Sequence, residues 1–376
     1  MVRKLTGVLF THVAIRLSSV RSMAHTPTEC TYRCSDGVKL AALRWGCPSS
    51  KRRILCLHGW MDSSADTEVV ALDFPGHGLS GHKSSDGPPQ LLAEFAYYAV
   101  ELIEAMEWRN KRDNGGDAGM RTVVGNVQRS TAADEDKPPS IRGTDDDVDV
   151  DEEKIILVGH SMGSGVAIVL AAAFPEYFSS LILLEGGLVA RNSQDAARHV
   201  RAACQRRLKS NRTLFPSIEK SADVPRSKVY RTLDAAVEAR MSTAQRMPGE
   251  QYLTYNAAKD LVIRATLPAQ KTSQGRDSES VVFRHDPRLQ WPSLQYYTRE
   301  QVEAFYRDLH DSGLPVCLLR GEDGFPVDEW TRDSIKGILK PGYVKTLSGS
   351  HHLHADPDSA PAVARDIVAF LNEQGL

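Results

Sequence analysis

Apolar residues along this chain fall into short unbroken runs, separated by longer stretches in which they recur at helical spacing. ILCLHG (54–59), VVALDF (69–74), KIILVG (154–159), LILLE (181–185) and PVCLLRG (315–321) each carry four or more consecutive apolar positions without alternation. Runs of that length, bounded by turn signals, predict strands buried on both faces. YVKTLSG (343–349) predicts a last strand, while CTYRC and VKLAALRW on either side of SDG predict a leading hairpin. Helical spacing runs from Pro89 to Trp108, through GSGVAIVLAAAFPE, from Asp328 to Leu339, and from Pro357 to Asn372. Strands alternating with helices imply an α/β fold with a mostly parallel central sheet and helices on both faces. A more polar, mainly helical block at 187–311, with SKVYRTLDAAVEARM and REQVEAFYRDLH as its clearest helices, interrupts that alternation. It reads as an inserted helical lid. The core is thereby divided into 29–108 with 154–186 before the lid, and 312–376 after it.

Two segments break the pattern. Residues 109–153 are rich in Asp, Glu, Gly and Ser, end in DDDVDVDEE, and hold almost no large apolar side chain. Such a stretch cannot offset its ordering entropy and is expected to be a disordered insertion, its acidity serving solvation rather than metal binding. Residues 1–25 contain Arg3, Lys4, Arg16 and Arg21 and no acidic residue, with Leu5, Leu9, Val13, Leu17 and Val20 near one helical face. That composition predicts a mitochondrial targeting segment, with cytoplasmic residence as the alternative.

Composition adds bounds rather than chemistry. With 376 residues, 41% of them apolar, the chain can build a substantial core. A formal charge of −2 spread over both signs offers no basic stripe for nucleic acid, and no apolar run is long enough for stable membrane insertion. Cys30, Cys34, Cys47, Cys56, Cys204 and Cys317 show neither metal spacing nor a disulfide framework, so they are expected to be reduced thiols. Oligomeric state leaves no mark in the sequence.

The candidate chemistry lies at strand ends. GHSMG, Gly159 to Gly163, is a GxSxG at a strand-to-helix junction, the context in which such a serine is strained and exposed. Ser161 is the expected nucleophile, and Gly159 and Gly163 let strand and helix pack closely. A serine hydroxyl needs a base, and His351 sits just past YVKTLSG, at the same sheet edge. His352 and His354 are expected to be its loop neighbours, since HHxH from a single loop converges poorly on a metal. For an oxyanion the Met162 N–H supplies one donor at a helix N-terminus, and Trp60 in HGWMD, after the third strand, supplies the second.

HGWMD, DFPGHGLS, GHSMGSG, HDPRL (285–289) and SGSHHLHADP together resemble the α/β-hydrolase superfamily and, within it, the serine hydrolase-like proteins. The resemblance covers residues 30–108 and 154–374. It implies an α/β-hydrolase fold and a serine hydrolase acting on a small-molecule ester or related acyl bond, without cofactor or metal. The sequence departs from that family twice. His58 and Asp73 lie 15 positions apart, and SSADTE is all that remains of the family's first helix. The family's usual triad acid, third after the glycine in GEDG, falls on Gly324. Asp323 is then out of phase, and Glu185, ending LILLE, is the first candidate for the acid, with Asp323 as the alternative. Asp286 and Arg288 of HDPRL are expected to form a structural ion pair.

Two other readings compete. An α/β-hydrolase fold retained as a binding protein is compatible with the missing helix. The spacing GxxxGxG in GHSMGSG, with Ser242, Tyr255 and Lys259, also mimics a short-chain dehydrogenase, although four strands precede its glycine turn.

Overall fold

The computed structural model describes residues 27–46, 52–58, 69–84, 91–108, 154–214, 228–269 and 279–376, residues 210–214 by backbone alone. The expected targeting segment at 1–25, the acidic insertion at 109–153 and Trp60 lie outside the described residues.

An eight-stranded sheet forms the core, with strands β1 (Thr28–Arg33), β2 (Lys39–Arg44), β3 (Arg53–Leu57), β4 (Val69–Asp73), β5 (Ile155–His160), β6 (Phe178–Leu184), β7 (Val316–Asp323) and β8 (Tyr343–Ser350). Their order is β1-β2-β4-β3-β5-β6-β7-β8. The leading hairpin pairs antiparallel, as does β2 with β4, and every later neighbour is parallel. The apolar runs at β4 and β5 are buried along their whole length.

Among the described residues the α-helices are, in chain order, α1 (Leu92–Ala105), α2 (Met162–Ala173), α3 (Ala196–Leu214), α4 (Leu233–Gln245), α5 (Tyr255–Ala265), α6 (Arg299–Asp311), α7 (Glu329–Ser334) and α8 (Ala360–Glu373). Alternation along the strands feeds two layers. Leu181 and Leu183 join α1, α2 and α6 on one face, whereas Ile182 and Leu184 join α8 on the other. Because Val302, Tyr306 and Leu309 of α6 are buried in that first layer, α6 covers the sheet, and the inserted block ends before Arg299 rather than at 311. The block is also not purely helical. Val229–Tyr230, Val281–Phe283 and Thr266–Pro268 form a small three-stranded sheet beside α4 and α5, with a separate apolar cluster around Val237, Leu253 and Val262.

Ion pairs tie the block to the core. Arg264 of α5 donates from Nη2 to Asp73 Oδ2 at 2.7 Å and from Nη1 to Glu29 Oε1 at 3.1 Å. Asp73 is fully buried and also accepts the Leu79 N–H at 3.0 Å. Gly78, at φ 46°, leaves room for it, since a Cβ there would stand 2.3 Å from the Asp73 carboxyl carbon. Asp286 and Arg288 form the expected pair, at 2.6 Å, and Arg288 reaches on to the carbonyls of Lys83 and Ser84.

All five described cysteines are free. Burial pushes the Cys34 and Cys317 thiols up to about 12, so both remain protonated at neutral pH.

Candidate active site

Ser161 stands between the end of β5 and the first turn of α2 at φ 52° and ψ −115°, a backbone conformation that non-glycine residues seldom hold. Its N–H is fixed to the Leu184 carbonyl at 3.0 Å. The flanking glycines permit the turn for steric reasons. A Cβ on Gly159 would approach the Gly163 carbonyl to 2.5 Å, and one on Gly163 would approach the Leu57 carbonyl to 2.2 Å. Strand β3, strand β5 and helix α2 therefore meet backbone to backbone beneath the serine. The Met162 N–H opens α2 and belongs to the donors an α-helix cannot use internally.

His351, at the end of β8, brings its Nε2 to 2.8 Å from Ser161 Oγ. Its Nδ1 lies 3.1 Å from Glu185 Oε2. An Nδ1–H donated to the carboxylate leaves Nε2 to accept from the serine hydroxyl, so the carboxylate selects the tautomer. Phe325 stacks on the imidazole, with centroids 3.8 Å apart and planes 20° apart, and holds its orientation. His351 is buried, and its own N–H donates to Gln251 Oε1 at 3.0 Å.

Glu185 follows β6 at φ 48° and turns its side chain inward, where it is almost wholly buried. Burial alone would push its pKa up. The hydrogen bonds from His351 and from the Gly321 N–H at 2.7 Å, with the Arg320 guanidinium at 3.7 Å, outweigh burial and hold the carboxyl below its usual range. The Phe325 N–H reaches the second oxygen at 3.2 Å.

Asp323, the alternative acid, is not brought to the imidazole. It ends β7, pairing with Ser350 of β8, and its carbonyl accepts from Gln251 Nε2 at 2.6 Å. Gly324 explains why the usual acid position is empty, because a Cβ there would stand 2.3 Å from Glu185 Oε1. The space that an aspartate at 324 would need is filled by the Glu185 carboxylate.

The surrounding histidines have other duties. His160 lies 3.9 Å from His354 by ring centroids and donates from Nε2 to the His351 carbonyl at 2.9 Å. Arg240 of α4 donates to His352 Nε2 at 3.1 Å. Among the described residues, no group of three or more His, Cys, Asp or Glu is placed to hold a metal ion. His58, from HGW, accepts the Phe74 N–H at 3.0 Å and so laces the end of β3 to the end of β4. The dehydrogenase reading fails on topology. Its glycine turn follows the fifth strand, while Tyr255 is 40% exposed on the inserted block and bonded to Asp234.

Ser161, Met162, Glu185 and His351 line one cavity of about 630 Å³. Leu92, Phe95 and Leu188 belong to its core-side wall, while Leu289 and Trp291 come from the inserted block. Gln251 and Phe325 escaped the sequence reading. Phe325, next to Gly324, stands in a stretch already singled out, whereas Gln251 carries no motif.

Comparison with known proteins follows the same line. A family model described as the alpha/beta hydrolase family matches residues 54–365. A serine hydrolase-like protein of Danio rerio is 25% identical over 352 residues, 88% of this chain and 84% of that one. A serine hydrolase-like protein of Dictyostelium discoideum is 22% identical over 367 residues, 92% of this chain and 82% of that one. The crystal structure of a hypothetical protein from Pseudomonas aeruginosa PAO1 superposes with a TM-score of 0.65 at 25% identity, covering 93% of this chain and 100% of that one.

Proposed function

From the premise that this chain belongs to the alpha/beta hydrolase family, we propose that it is a serine hydrolase cleaving a carboxylic ester or related acyl bond through Ser161, His351 and Glu185. The observation that carries the reading is the unbroken chain from Ser161 Oγ through both imidazole nitrogens to a buried carboxylate, at 2.8 Å and 3.1 Å, inside a largely apolar cavity.

In this reading Ser161 Oγ attacks the acyl carbonyl while His351 Nε2 takes its proton. The tetrahedral intermediate collapses, the bond to the leaving group breaks, and the proton passes to that group. Water then repeats the sequence on the acyl-enzyme, with His351 again as base, and releases the acid. Glu185 stays ionised throughout and stabilises the imidazolium. The Met162 N–H, at the start of α2, is assigned as the first donor to the developing oxyanion, where a donor is worth about 3 kcal/mol. Trp60 is assigned the second donor. Every step uses groups of this chain and water, so the reading calls on no cofactor.

A fluorophosphonate probe tests the assignment. Labelling of the native protein and its loss in Ser161→Ala, together with hydrolysis of short- and medium-chain p-nitrophenyl esters, is the expected result. A folded protein that neither labels nor turns over any such ester would instead be a binding module on the same fold. The basic, acid-free segment at 1–25 supports mitochondrial import, which a reporter fused after residue 25 would report.

A further inference from the structure

Three arginines reach the wall of the largely apolar cavity, Arg207, Arg288 and Arg320, and besides the Glu185 carboxylate the wall holds one other, that of Asp328. Two of the arginines have anchors. Arg288 is clasped by Asp286 and by the carbonyls of Lys83 and Ser84, and Arg320 bonds the Phe325 carbonyl at 3.0 Å beside the Glu185 carboxylate. Arg207 differs. Its Nε donates to the Pro292 carbonyl at 2.9 Å, its guanidinium lies 5.5 Å from the Trp291 ring centre, and no described carboxylate forms an ion pair with it. Partial burial depresses its pKa, yet a guanidinium stays charged at neutral pH. A partly desolvated cation with no anion beside it is costly, and a ligand anion would lower that cost.

The element that carries it reinforces the charge. Over its residues with described side chains, Ala196 to Lys209, α3 contains Arg198, Arg201, Arg206, Arg207 and Lys209 and neither Asp nor Glu. Of these residues Arg207 is the one in the cavity wall, and Arg198 is already paired with Asp195 at 2.7 Å. With Nε held by Pro292 and the guanidinium carbon 5.5 Å from the Trp291 ring centre, the two Nη groups form a fork suited to a carboxylate or phosphate.

We propose that the cavity takes an amphiphilic acyl substrate, with an apolar chain and an anionic group, and that Arg207 is the residue that reads the anion. The chemistry rests on the hydrolase reading above; the recognition does not. The anion has two possible sources, a carboxylate at the far end of the acyl chain or a phosphate on the leaving alcohol.

Two substrate pairs separate them: a medium-chain p-nitrophenyl ester ending in carboxylate against its carboxamide, and an octanoyl ester of glycerol phosphate against that of glycerol. Both kcat/KM on the native protein and Kd on Ser161→Ala, by calorimetry, are measured. One anionic member should be preferred by about tenfold or more, the size of one charge-assisted hydrogen bond. The pair that responds tells which end of the substrate faces α3. In Arg207→Met that ratio should fall towards one, and Arg207→Lys, keeping the charge without the fork, should retain part of it. Ratios near one for both pairs in the native protein, or a preference unchanged by Arg207→Met, would overturn the proposal. If nothing is turned over but binding to Ser161→Ala still depends on the anion and on Arg207, the hydrolase reading falls and this inference stands. Turnover blind to charge would overturn this inference and leave the hydrolase reading standing.

Discussion

At Glu185 a non-glycine residue holds φ 48°, a conformation that costs on the order of 1–3 kcal/mol and persists only where the surroundings enforce it. Here the enforcement is the set of donors around its carboxylate. Replacing it with Gln should lower ester turnover by about two to four orders of magnitude, through loss of the imidazole's tautomer and orientation. Asp323→Asn should change turnover little, and the reverse ranking in steady-state kinetics would move the acid to β7. The depressed pKa of Glu185 adds a pH signature. Its stabilising contribution is complete above the ordinary glutamate value of about 4.3 and is lost as pH falls through the lower folded value. Denaturant unfolding should therefore show Glu185→Gln less stable than the native protein at pH 7, with the gap narrowing in acid. Gly324→Ala should cut turnover by about tenfold or more, because its Cβ would displace the acid, whereas Gly337→Ala, with nothing within 4 Å of its Cβ, should leave it unchanged. Ser161 and His351 are legible in sequence because a strained elbow and a strand-end histidine have local signatures. Glu185 is legible through phase, since a glycine where the acid usually sits points to another strand. Phe325 gives no such sign, because stacking on an imidazole depends on how two loops face each other.

Among elements, the loop leading into α5 connects the inserted block to the chemistry. Gln251 reaches from it to the Asp323 carbonyl and the His351 N–H, fixing the loops after β7 and β8 at once. Gly249 makes room, as a Cβ there would stand 2.9 Å from Gln251 Nε2. Gln251→Ala leaves the buried His351 N–H unpaired, a cost of about 1–3 kcal/mol, and loosens the base. Since Gln251 lies behind the imidazole rather than in the cavity wall, kcat should fall by about tenfold while KM changes little in steady-state measurements. This contact spans 100 residues of sequence and has no motif, which is why only the folded chain reveals it. The small sheet of the block escaped for a related reason. Its strands are two or three residues long and exist through non-local pairing, whereas the buried runs of β4 and β5 announce themselves by composition.

For the molecule as a whole, Asp73 and Arg264 form a buried ion pair between core and inserted block. Arg264→Ala would strand a fully buried carboxylate, so the urea midpoint should drop by the equivalent of about 3 kcal/mol, and Asp73→Asn added to it should recover part of the loss. The mostly parallel sheet and the helices on both its faces were foreseeable from strand and helix alternation, whereas the strand order was not. The division of labour within 187–311 was not, because α6 has the same polar, amphipathic character as a covering helix over a cavity and reveals its place only by burying Tyr306. The contest for space between position 324 and Glu185 also links the ends of β6 and β7. A side chain placed at 324 would meet the Glu185 carboxylate at 2.3 Å, so an acid arriving after β7 would have to push aside the one already seated after β6. The two acid positions are thus alternatives competing for one volume beside the imidazole, and gaining one loosens the other.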